Sequence, residues 1–238
     1  MIDHRPRRPD LSDAEYSVVL IGDFNPKIYQ PAWFASQELL RASEADNANI
    51  EVVHANLTSF STEWFTMQVI RDKFSVTIKS PVYLTHLKNL VLGTFRLLSH
   101  TPLRQMGINY TARIQFKDAL DWHCFGHFML PKSPWTGLLS NPGMRAVSVE
   151  SARKDDMTGW VVINVTPVQG VANKAEILVN DHCECPHDRQ SDSTGFFLEI
   201  IEREYGPVLD RSKALVEKVV NRFCEQSKFE DGEVARHE

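Results

Sequence analysis

Thirteen residues in the middle of the chain, QMGINYTARIQFK from Gln105 to Lys117, alternate apolar and polar side chains. Ile108, Tyr110, Ala112, Ile114 and Phe116 fall on one side, and Asn109, Thr111, Arg113 and Gln115 on the other. Successive side chains of a strand point to opposite faces, so one face of this strand must be core and the other more polar. A slip of one residue would expose the whole apolar set, which fixes the register. The chain is thereby committed to a sheet with one covered face, and this strand belongs in its middle.

The flanking sequence supplies the other elements. YSVVLIGD, ending at Asp23, reads as a strand. Pro31 suits the first position of a helix carrying Trp33, Phe34, Leu39 and Leu40. IEVVHANL, EWFTMQVI and FSVTIK read as three more strands. Ser80-Pro81 opens a long helix with Leu84, Leu87, Leu90, Val91 and Phe95 at helical spacing. Gly93 inside it costs about 1 kcal/mol against alanine, which points to close packing against a neighbour.

After Lys117 the order repeats. Asp118 caps a helix to about Met129, and a Pro-, Trp- and Gly-rich loop, PKSPWTGLLSNPG, follows. MRAVSVESA, GWVVINVTPV and KAEILVND read as strands, NDHCECPHDRQSDSTG as a loop, and FFLEIIEREY as a helix. Gly206-Pro207 is expected to break that helix before a last one. Each half therefore reads β-α-β-β-β-α. The expected fold is α+β: a pseudo-repeat of two such units forming one curved, mainly antiparallel sheet with long helices on one face. The expected organisation is one compact domain, with a flexible basic start (1–15), a first half (16–104), a second half (105–228) and a flexible tail (229–238).

Net charge is −5, which argues against bulk duplex DNA as the default partner. Between Trp64 and Lys117, however, eight basic residues face one acidic residue. A cationic segment of this kind attracts anions when its charges share a face, and is otherwise a solvated surface. Arg96, Arg104, Asn109 and Arg113 are its candidate binding residues. The basic, proline-broken start is not a secretory signal, and no apolar run is long enough to span a membrane. The expectation is a cytoplasmic protein whose four cysteines form no disulfide framework.

No two of the eleven glycines lie closer than six residues, which excludes the usual glycine-rich phosphate loops. Two clusters carry metal-ligating side chains. In DWHCFGH, His123 and His127 stand four apart, on one face of a helix, as in many zinc sites. Cys183, Cys185 and His187 lie within five residues of one another. A zinc ion between the two clusters would support hydrolytic chemistry. Against this, C-x-C is tighter than the usual spacing of zinc ligands, and Cys124 and His127 also lie on an apolar stripe. Zinc is the only cofactor the residues suggest, and the default expectation is none.

FNPKIYQPAWF (24–34), LGTFRLLSHTPLRQMGIN (92–109) and YGPVLDRSKALVEKVVNRF (205–223) together resemble a sporadically distributed family of uncharacterised bacterial proteins of similar length. The resemblance implies no activity and carries over no catalytic residue. It marks Arg104, Gly107 and Asn109, which stand at matching positions. In topology alone, the expected sheet resembles the saddle of the TATA-binding-protein fold, and such likeness does not imply function.

Three functional readings follow, in this order. The first is a non-enzymatic binding or assembly module presenting a sheet face or groove to a partner protein or to a second copy of itself. The second is a binder of nucleic acid or another anion through residues 64–117. The third is a metal-dependent hydrolase using the Cys/His clusters. A protein-binding module needs an exposed apolar patch, an anion binder needs its cations on one face, and an enzyme needs converging titratable groups.

Overall fold

The computed structural model describes residues 6–153, 155 and 157–226. The expected tail at 229–238 lies outside the described residues. Nine strands form a single antiparallel sheet: β1 (Asp10–Gly22), β2 (Asn49–Val53), β3 (Leu57–Ser61), β4 (Thr66–Ile70), β5 (Lys73–Ile78), β6 (Leu103–Gln115), β7 (Val147–Ala152), β8 (Gly159–Pro167) and β9 (Lys174–Glu184). Their order across the sheet is β2-β3-β4-β5-β1-β6-β9-β8-β7. The helices are α1 (Pro31–Ser36), α2 (Ala42–Asp46), α3 (Leu84–Leu97), α4 (Ala119–Met129) and α5 (Ser193–Glu225).

The alternating strand is β6, beside the central strand β1. Its register is the one the pattern demands: Ile108, Tyr110, Ala112 and Ile114 are buried, and Arg113 faces the other way. The neighbours continue the same rule, with Val18 opposite Ile108 on β1 and Val179 opposite Tyr110 on β9. The covered face packs against α5, whose seam buries Phe197, Ile201, Val208, Leu209, Val216 and Phe223. At the other end of the sheet, Phe34, Phe60 and Phe65 pack in sequence in tilted and edge-to-face contacts, with centroids 6.0 and 5.6 Å apart.

Several local expectations need correction. The α+β class and the antiparallel sheet stand, but the two halves do not share one element order. IEVVHANL divides into β2 and β3, and the first half has five strands against four in the second. The helix expected from Pro31 breaks in two, because Glu38 adopts a left-handed conformation with φ of 58°. That turn sends Leu40 into the core and brings Leu39 against α3. A Cβ on Gly93 would come 2.5 Å from Leu39 Cδ2, so the glycine is there for packing, as its helical position suggests.

Pro207 does not end the last helix: α5 runs 33 residues straight through it. Proline in a helix interior costs about 3 kcal/mol. Burial of the apolar seam on both sides of Pro207 offsets that cost. The chain start is not a free arm up to residue 15. β1 begins at Asp10, Arg7 pairs with Asp118 and Asp121 at the start of α4, and Arg8 pairs with Glu217 on α5. Among the described residues, no helix is long and apolar enough to cross a membrane.

Candidate functional site

The four basic-segment candidates do not form one surface. Asn109 and Arg113 share the face of β6 away from α5. There Asn109 Nδ2 donates to Ser17 Oγ at 3.1 Å, and Asn180 Nδ2 donates to Asn109 Oδ1 at 2.6 Å. Arg113 is held by three carboxylates: Asp13 at 2.7 Å, Glu15 at 3.0 Å and Glu176 at 2.8 Å. Partial burial pushes the Asp13 carboxyl up, but hydrogen bonds from Lys174 and Arg113 outweigh it and hold the group at about 2. Arg104 lies near the start of β6. It donates to Asp23 at 2.6 Å and to the Gly22 carbonyl at 3.0 Å, tying β6 to the end of β1. Arg96 lies on α3, where it pairs with Glu202 of α5. These cations are committed to carboxylates on separate parts of the molecule, which is not the arrangement that gathers phosphates.

Gly107 sits in unbroken register with β9, so it marks no bulge there. A Cβ at this position would lie 2.9 Å from Asn180 Nδ2, a close approach.

The second cysteine cluster is not a loop. Alternating burial carries β9 on to Glu184, so Asp181 and Cys183 face the core and His182 faces away. His182 stacks on Trp160, with centroids 4.1 Å apart and planes 19° from parallel. Its Nε2 is buried without a hydrogen-bond partner, and desolvation lowers its pKa. Cys185 and His187 lie beyond the strand, and His187 opens a short turn of 3-10 helix. His123 and His127 are both on α4, one turn apart. Burial pushes the Cys124 and Cys183 thiols up to about 11 and raises Cys185 as well, which keeps them protonated. Among the described residues, no group of three or more His, Cys, Asp or Glu side chains is placed to hold a metal ion.

The site that combines shape with chemistry lies at the β7 end of the sheet, and sequence reasoning missed it. β7 is an edge strand, paired only with β8, and its six residues hold register without a shift. Its pairing places Val149 beside Ile163 and Ser151 beside Val161, and Val161 in turn lies opposite Asp181 of β9. These residues share the covered face of the sheet, but α5 leaves a gap above them. The result is a groove of about 590 Å³, walled by Val149, Val161 and Ile163 from the sheet and by Ala214, Leu215 and Lys218 from α5. Val149 is 56% exposed, which is high for a valine on the core side of a strand.

One end of the groove is closed by charge. Arg153 and Asp181 have side chains only 3% and 7% exposed, and they pair directly. Arg153 also donates to Asp155 through Nε at 2.8 Å and Nη2 at 2.7 Å, and to the His182 carbonyl at 3.2 Å. Arg211 of α5 approaches the second Asp181 oxygen at 3.6 Å and Glu204 at 3.6 Å. A buried carboxylate is tolerated only when paired in this way. The network fixes α5 to β9 and holds one end of the groove in shape.

One signal for this site was present in the sequence. Asp181 occupies a core-facing position in the series Ala175, Ile177, Val179, Asp181, and a carboxylate there demands a buried cation. Nothing in the sequence singles out Arg153 as that cation. Compared with known proteins, the chain matches no family model and no curated relative.

Proposed function

We propose that this chain is a binding module that takes an extended segment of a partner protein along the edge of β7. The segment adds a tenth strand through its backbone, and alternate side chains drop into the groove beneath α5. The observation that carries this reading is the conjunction of the two features. An edge strand in regular register offers unpaired N–H and C=O groups, and the adjoining groove supplies apolar walls for every second side chain. Strand addition of this kind draws affinity from main-chain hydrogen bonds and specificity from the pocket. The apolar lining calls for a branched or aromatic side chain at the position facing Val149 and Leu215. Nucleic acid is disfavoured, because the three cations of the groove, Arg153, Arg211 and Lys218, are matched by three carboxylates, Glu150, Asp155 and Asp181.

A photoreactive residue at Val149, compared with one at Val53 on β2, tests this in living cells. The Val149 probe should capture one discrete protein that the Val53 probe does not. A synthetic peptide of the captured segment should then slow amide exchange along β7, and Leu215→Asp should abolish that protection. Equal capture at both edges, or a captured peptide that leaves β7 exchange unchanged, overturns the reading. A β7-dependent dimer of the isolated protein in sedimentation would assign the edge to a second copy instead.

A further inference from the structure

A second cavity lies on the other side of the β7 lead-in, between α4 and the loop that joins α4 to β7. It encloses about 400 Å³, within the usual range for small-molecule sites. Trp122, Trp135 and Leu139 line it with apolar surface, and Lys132 and Arg145 line it with charge. Among the described residues no acidic side chain lines the cavity and no carboxylate pairs with Lys132 or Arg145, and His123 lines it beside them. Trp135 and Leu139 are 41% and 56% exposed, so the loop holds large apolar side chains in water instead of burying them.

Gly126 supplies an independent observation. It stands inside α4, where glycine costs about 1 kcal/mol against alanine. Gly93 in α3 bears the same cost because Leu39 occupies the space of its missing Cβ. At Gly126 a Cβ would meet no atom of the described residues within 4 Å. Packing among the described residues therefore gives no reason for this glycine, which lines the cavity.

From these features we infer that the cavity binds a small amphipathic anion: an apolar or aromatic body carrying one carboxylate. The body lies between the tryptophans and over Gly126, and the carboxylate meets Lys132 and Arg145. An arginine and a lysine lining an apolar cup, with no carboxylate among its described lining residues, favour a single anion over a neutral or cationic ligand. The same chemistry is found in a free fatty or aromatic acid and in the C-terminus of a peptide ending in an aromatic residue. This ligand site is separate from the β7 groove and stands or falls without it.

Calorimetry on the full chain tests the inference with decanoate, 3-phenylpropionate, their primary amides, and a tripeptide ending in phenylalanine with a free or amidated C-terminus. At least one acid should bind at one equivalent and exceed its own amide by about tenfold or more, the equivalent of about 1.4 kcal/mol. Gly126→Leu should abolish binding while the protein stays folded. Trp135→Ala, on the exposed loop, gives the same loss without touching α4. Lys132→Gln/Arg145→Gln should bring acid and amide to near equality. Tighter binding of the free acids assigns the site to a small molecule, and tighter binding of the peptide assigns it to a chain terminus. Equal affinity for acid and amide in the unmodified protein overturns the inference. So does binding that survives both Gly126→Leu and Trp135→Ala, or no binding by any member of the panel.

Discussion

The two ends of the sheet are finished in different ways. At the β2 end, the pairing with β3 shifts between Ile50 and Val52, and Ser59 Oγ donates to Glu51 at 2.7 Å beside that irregularity. Bulged, short edges of this kind resist pairing with another chain. Behind them, the edge-to-face and tilted rings of Phe34, Phe60 and Phe65 fill the covered face. At the β7 end the register is regular, the Trp160–His182 stack lies on the opposite face, and a buried ion network holds the covered face beside an open groove. A chain that needed only stability would finish both ends like the first. The second end gives up apolar packing and keeps a regular edge, and that contrast is what supports the proposed docking at β7.

The largest expected effects ask whether the two ends are held by different forces. Phe60→Ala should cost about 3–5 kcal/mol, as for a fully buried ring. Arg153→Met should cost a similar amount, about 3–5 kcal/mol, because it leaves the buried Asp181 with only the longer contact to Arg211 as counter-charge. Adding Asp181→Leu to Arg153→Met should then restore most of the loss, whereas no second substitution rescues Phe60→Ala in this way. Urea denaturation of the four proteins measures this. Failure of the double variant to recover would mean that the β7 end is held by packing after all. Val149→Ala should stay within about 0.5 kcal/mol of the parent, since its side chain is mostly in water.

The strand between the two ends gives the next test. Ile114→Ala should cost about 2–5 kcal/mol wherever the function lies. Arg113→Ala, on the opposite face, should cost less, about 1–2 kcal/mol, by leaving Asp13, Glu15 and Glu176 to repel one another. The sequence alone gave no hint of that cluster and would place the cost of Arg113→Ala near zero. Denaturation midpoints in which Arg113→Ala is the more damaging would invert the register of β6.

Two helical glycines sharpen the contrast at smaller magnitude. Gly93→Ala, against Leu39, should destabilise by about 1–3 kcal/mol through overpacking. Gly126→Ala, facing the open cavity, should stabilise by up to about 1 kcal/mol through helix propensity. Thermal melts of opposite sign are the expected result, and a loss of stability in Gly126→Ala would show that its space is not open.

The smallest effect is one of pH. Desolvation, the main influence on His182, lowers its folded-state pKa below the unfolded value near 6.5. The unfolded chain then binds the proton more readily, so stability is full above about pH 6.5 and declines as pH falls through and below it. His182→Gln should flatten that slope in stability measured from pH 7.5 to 5. An unchanged slope would place the acid sensitivity elsewhere.

Much of the fold was legible because burial imposes periodicity. β6, β9 and α3 declare themselves through alternation or helical spacing, and Gly93 declares its neighbour. The misreadings have physical causes as well. Pro207 is a strong local breaker that a long apolar seam overrides, and Glu38 takes a left-handed turn that no glycine announces. The polar, cysteine-rich run at 181–184 looks like a loop because polar side chains on both faces hide its alternation. The candidate site was the least legible part. A groove arises where a helix fails to cover a sheet, and its ion network joins residues 28 positions apart and more, such as Arg153 and Asp181. Local sequence patterns do not encode either feature.

The pairing of β1 with β6 also sets a timetable for synthesis. β1 through β5 are complete once Ile78 has been made, and β1 can then close one side of the meander. Its other side waits for residues up to Gln115, because Asp10 pairs with Gln115 across the full length of the strand. At a translation rate of about 5–20 residues per second, that wait lasts about 2–7 s. Throughout it the future centre of the sheet is an unprotected border carrying Val18 and Leu20. The seam of α5, which seals the covered face, is made last of all. A nascent chain of this design therefore exposes its most adhesive strand early and covers it late, and a slow stretch of translation between Ile78 and Gln115 would prolong the exposure.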